Sequence, residues 1–86
     1  MMEAEEKLVG VITHYYPKIK VGVIELADNL SVGDKIRIKG NSTDFEQIVS
    51  SIQVEHRDIQ QAKKSEVVGI GLDQPASENY KVYKAQ

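Results

Sequence analysis

The chain of 86 residues contains no cysteine. Disulfides, thiolate metal sites and a cysteine nucleophile are therefore excluded. Histidine is nearly as scarce: His14 and His56 are the only two, with no HExxH motif or dense carboxylate cluster beside them. A metal site is not expected on that pattern. No GxxxxGK(S/T) phosphate loop is present, which excludes GTP hydrolysis by this chain, and no GxGxxG follows a predicted strand. Serine, histidine and aspartate occur, yet no GxSxG elbow does, so a hydrolase triad is not expected either. The chain reads as a non-enzyme without a cofactor.

Long apolar runs are also missing, and no segment is predicted to span a membrane. The opening Met1-Met2-Glu3-Ala4-Glu5-Glu6 is acidic, the reverse of a secretory leader, and a soluble cytoplasmic protein is the expectation. Charge of one sign is not in excess. Net charge is −2, and three of the thirteen acidic residues fall in the first six positions, leaving 11 basic against 10 acidic residues. A near-neutral body creates no strong non-specific field for nucleic acid. Asn41-Ser42-Thr43 matches a glycosylation sequon, which without secretion is a polar turn.

What the sequence does contain is the grammar of short half-buried strands. In the run from Leu30 to Gly40, Val32-Gly33-Asp34 reads as a tight turn in which Gly33 takes a positive φ. Ile36 and Ile38 then alternate with Lys35, Arg37 and Lys39, and Gly40-Asn41 ends the strand. The same reasoning predicts strands at 7–16, 19–26, 34–39, 45–56, 66–72 and 80–84. A change of inward face is expected near Gly22 or Val23, and Ile48, Ile52 and Val54 are expected inside. Val68, Ile70 and Leu72 read as inward, Gly69 and Gly71 as outward. Residues 57–65 read as a loop with one helical turn, from the spacing of Ile59 and Ala62. One domain is expected: a disordered acidic tail at 1–6, then a single closed six-stranded all-β barrel at 7–86.

Several segments resemble domain 2 of the translational GTPases, the barrel of elongation factor Tu. They are Val9-Gly10-Val11-Ile12, the run from Leu30 to Gly40, and the run from Ala62 to Ile70, where Ser65 stands in place of the usual glycine. A closer resemblance is to the short translation elongation factor-like proteins, themselves similar to the C-terminal barrel of some collagenase-like peptidases. It is carried by Val11-Ile12-Thr13-His14-Tyr15-Tyr16, Gly40-Asn41-Ser42-Thr43-Asp44-Phe45, Ser51-Ile52-Gln53-Val54-Glu55-His56 and Val82-Tyr83-Lys84. Ser77 and Tyr80 depart from the pattern, standing where that group tends to carry Arg and Asp. The resemblance implies a barrel of the translation-factor domain 2 type.

Two groups of residues are candidates for partner contact. Lys35, Arg37 and Lys39, with Lys18 and Lys20 as neighbours, form a row of cations suited to RNA phosphates or an acidic partner. The alternative is a solvated strand face that discourages edge pairing. His14, Tyr15 and Tyr16, with Phe45 and Tyr83 as neighbours, suit base stacking or a protein anchor, the alternative being rings that plug the barrel end. Function is accordingly read as a translation-factor-like binding module contacting RNA or a ribonucleoprotein, with no nucleotide ligand. The second reading is a protein-interaction barrel acting in trans with a collagenase-like, peptidase-type enzyme.

Overall fold

The computed structural model describes residues 7–85, so the expected acidic tail at 1–6 lies outside the described residues. The fold is all-β, with no helix among the described residues. Ten strands form: β1 (Lys7–Tyr16), β2 (Val21–Leu26), β3 (Leu30–Ser31), β4 (Lys35–Lys39), β5 (Asp44–Ile48), β6 (Ile52–Val54), β7 (Arg57–Ile59), β8 (Gln61–Ala62), β9 (Val67–Gly71) and β10 (Lys81–Lys84). Eight make one antiparallel sheet in the order β5-β4-β10-β1-β2-β9-β6-β7, while β3 and β8 pair separately. No helix among the described residues is long and apolar enough to cross a membrane.

Alternation decides the core. Ile36 and Ile38 on β4, Val68 and Ile70 on β9, and Val82 on β10 all turn to one side and are buried. Leu72, just past β9, joins them, and Gly33 takes the expected positive φ, at +97°.

Four expectations are corrected by the geometry. The first concerns β2, which never switches faces: Gly22, Ile24 and Leu26 point inward throughout, and Glu25 is exposed. The irregularity lies on the neighbouring β1, whose register with β2 shifts between Ile12 and His14. A second shift, against β10, falls between Leu8 and Gly10, where the Val9 carbonyl accepts from both the Ala27 and Asp28 amides. Such bulges bend a strand without changing which face its partner buries.

The second correction concerns 45–56, which is two strands. The Val49 amide donates to Asp34 O and its carbonyl accepts from Gly33 N, both at 2.8 Å. These bonds pull Val49 into the core, leave Ile48 55% exposed, and interrupt the strand before Ile52 re-enters the core. Val54 is half-buried and packs against the core, as expected.

Third, Ile48, expected inside, gives its place to its neighbour Gln47, which is buried on β5. Its side-chain amide donates to Gly71 O and accepts from Asp73 N, each at 2.8 Å. Both polar ends are satisfied, which is the condition for burying an amide. The fourth correction is at 57–65, where the short strands β7, paired with β6, and β8, paired with β3, replace the helical turn. With the two-residue strands included, ten elements stand where six were expected.

Candidate interaction surfaces

Strand β4 places Lys35, Arg37 and Lys39 on one outward face, as alternation requires. Its neighbour β5 answers with Asp44 and Glu46 on the same side. Arg37 grips Asp44 with two hydrogen bonds, Nε to Oδ1 at 2.7 Å and Nη2 to Oδ2 at 2.9 Å. Lys35 Nζ lies 3.3 Å from Glu46 Oε1, and Lys39 Nζ sits 5.2 Å above the centre of the Tyr83 ring. The Arg37 guanidinium holds the Asp44 carboxyl below its ordinary value. This row of cations is therefore a checkerboard with built-in counter-charges. Lys18 and Lys20 are not beside it: they belong to the turn joining β1 to β2.

The run His14, Tyr15 and Tyr16 ends β1, and β10 lies between β1 and β4 in the sheet. His14 and Tyr16 meet edge to face with ring centres 4.3 Å apart, and His14 Nδ1 is 3.6 Å from Glu78 Oε2. Tyr15 is half-buried and packs on the core. Of the expected aromatic neighbours, Phe45 is in the core, and Tyr83 lies under Lys39 on β10. An open groove of 480 Å³ is lined by His14, Tyr15, Pro17 and residues 76–79, among them Ser77. Among the described residues no group of three or more His, Cys, Asp or Glu could hold a metal ion.

A third surface was not singled out from the sequence. The outward face of β2, β9 and β6 carries Val21, Val23, Val67, Gly69 and Gln53, and a groove of 290 Å³ runs over it. Tyr16 and Ile19 border the groove at 48% and 66% exposure, and Val67 on its floor is 53% exposed. Val23, Gly69 and Gln53 are register partners across three adjacent strands, so Gly69 opens a notch between two longer side chains. Glu55 and His56 line the groove as well. They link β6 to β7 with φ of 51° and 66°, the mirror-image turn that favours Asn-Gly. The available signal was that β2 is apolar on both faces: Ile24 and Leu26 serve the core, leaving Val21 and Val23 outside.

Known proteins bear on these surfaces in two ways. No family model matches the chain. An uncharacterised protease of Methanocaldococcus jannaschii is 40% identical over 76 residues, a match covering 87% of this chain. The chain spans about a fifth (19%) of the length of that curated relative. Among solved structures, the C-terminal domain of a Geobacillus thermoleovorans protein classed as a U32 peptidase superposes with a TM-score of 0.87 at 17% identity, covering 91% of this chain and 99% of that one. A second structure of that domain gives a TM-score of 0.85 at 16% identity, covering 93% and 92%. At such identities the structures show the shared fold. These likenesses support the peptidase side of the resemblance read from sequence and carry nothing for the elongation-factor side.

Proposed function

We propose that the chain is a non-catalytic interaction module that works with a peptidase-type protein. The observation that carries this is the 40% identity over 76 residues with a segment forming 19% of a protease. A module that small within a larger protein contributes a surface, and the chain's described residues offer surfaces rather than a nucleophile–base arrangement. We also infer that the sheet is rolled toward a six-stranded barrel, β5-β4-β10-β1-β2-β9, with Gln47 bridging its first and last members. The two amide bonds supply there what ladder bonds supply elsewhere.

The cation row Lys35, Arg37 and Lys39 supports an RNA reading less well, because Asp44 and Glu46 already occupy its outward face. Counter-charges in place weaken any phosphate contact, since phosphate binding depends on uncompensated cations. Of His14, Tyr15 and Tyr16, the proposal keeps Tyr16 as a partner residue, because it also borders the apolar groove.

The test is a chimera in which this chain replaces the matched 76 residues of the M. jannaschii protease. Side-chain footprinting of the chain alone and within the chimera should show solvent protection on at least one face of the module. Identical footprints in the two settings, or co-purification with RNA in a complex that dissolves steeply with salt, would overturn the proposal.

A further inference from the structure

The apolar groove over Gly69 combines two independent observations. First, it gathers three of the five large apolar side chains that are exposed among the described residues: Tyr16, Ile19 and Val67. Scattered exposed apolar residues are ordinary, but a contiguous patch marks a contact site. Second, the turn on its rim is strained. Glu55 and His56 both hold positive φ without being glycine or asparagine. Left-handed backbone is unfavourable for an ordinary residue, and strain of this kind concentrates where a site must be held in shape.

The notch has a definite form. A Cβ added at Gly69 would meet Val21 Cγ1 at 3.2 Å, a tight contact, and the Gln53 carbonyl at 3.9 Å, so the Val21 side chain leans over Gly69 and glycine keeps the groove floor low there. Its walls are Val21 and Val23 on β2 and Gln53 on β6. The Val21, Val23 and Val67 lining suits an aliphatic or aromatic side chain lying along the groove better than a charged one, which would be desolvated against it. The opposite end of the sheet differs, because its Lys, Arg, Asp and Glu side chains satisfy one another.

We infer that this groove is the face that docks on the body of the peptidase-type protein, receiving an apolar side chain over Gly69. The inference rests on the functional reading above. The occupant follows from the match: where a segment like this one forms 19% of a protease, the other four-fifths of that polypeptide adjoins it and can cover an apolar face.

The absence of cysteine gives a direct test. Single thiols are placed at exposed positions by Ile19→Cys and Val67→Cys in the groove, Glu46→Cys on the charged face and Glu78→Cys beside His14. Maleimide labelling rates, assigned by peptide mass spectrometry, are compared between the chain alone and the M. jannaschii chimera. Labelling at 19 and 67 should slow at least tenfold in the chimera, with 46 and 78 unchanged. Adding Val67→Glu should restore labelling at 19. The same readout on the chain mixed with the protease lacking its matched 76 residues supplies a second format that does not depend on the fusion folding. Slowing at 46 or 78 alone overturns the groove and leaves the module reading intact. No slowing at any of the four positions overturns both.

Discussion

Two turns in this molecule are built alike and filled differently. Ser31-Val32-Gly33-Asp34 leads from β3 into β4, and Lys63-Lys64-Ser65-Glu66 leads from β8 into β9. In each, the fourth amide donates to the first carbonyl at 3.1 Å. In each, the first amide donates to the fourth side chain, Asp34 at 2.9 Å and Glu66 at 2.8 Å. The third residue has positive φ in both, +97° at Gly33 and +79° at Ser65. Strands β3 and β8 pair antiparallel with each other, so the turns leave from opposite ends of that pair, and each launches a strand with two inward branched residues. Glycine meets this geometry freely, whereas serine adopts it against its own preference. Backbone conformation is thus set by the paired strands and the carboxylate, and the residue in third place only changes the strain.

The severest way to break the comparison is to attack the strands the turns launch. Ile38→Ala and Ile70→Ala remove equivalent buried side chains, both 0% exposed. Each should lower unfolding free energy by about 2–5 kcal/mol in urea titrations. A loss below about 1 kcal/mol at either site would show that the two strands are not equivalent.

A smaller effect is expected at the turns themselves. A Cβ at Gly33 would meet nothing within 4 Å, so Gly33→Val tests conformation alone. It should destabilise by roughly 1–2 kcal/mol, and Gly33→Asn by less, because asparagine tolerates the left-handed region. Equal effects for Val and Asn would mean that φ is not the cause.

The converse change, Ser65→Gly, should stabilise by about 0.5–1 kcal/mol, the relief of strain being partly offset by the greater freedom of glycine in the unfolded chain. Thermal unfolding of that variant beside Gly33→Ser reads both signs in one experiment. A lower melting temperature for Ser65→Gly would show that the serine side chain contributes something the backbone does not reveal.

The weakest expected effect lies outside the turns and sharpens the contrast with their carboxylates. Asp44 has its carboxyl held low by Arg37, and Asp28 by the Asn29 amide and then Lys7. A depressed folded value means stability that is present above the unfolded value of 3.8 and fades as pH falls through the folded one. Both groups face solvent, so the slope should be shallow. Asp44→Asn should flatten it in acid titrations of stability, and an unchanged profile would show that the Arg37 contact contributes nothing.

Much of this architecture was legible in the residues. The bounds of β1, the positive φ at Gly33 and the inward faces of β4 and β9 follow from alternation and turn chemistry. Strands β7 and β8 were not legible because three and two residues carry too little pattern to declare an element. Gln47 and Val49 misled for a different reason. A polar residue was buried and the following apolar one exposed by bonds to partners far along the chain. At the surfaces, the cation row was visible, but the carboxylates that answer it depend on which strand became its neighbour. The groove escaped notice because Val21 and Val23 look like core until Ile24 and Leu26 are seen to fill it.

Gln47 has one more consequence. Strand β5 ends its sheet, and a terminal strand is a template onto which another copy of the same chain can add. The amide of Gln47 ties that strand to the residues at and after the end of β9. Neither a carboxylate nor an aliphatic side chain can both donate and accept in its place. Removing it should cost solubility before it costs shape, as molecules begin to share strands along β5.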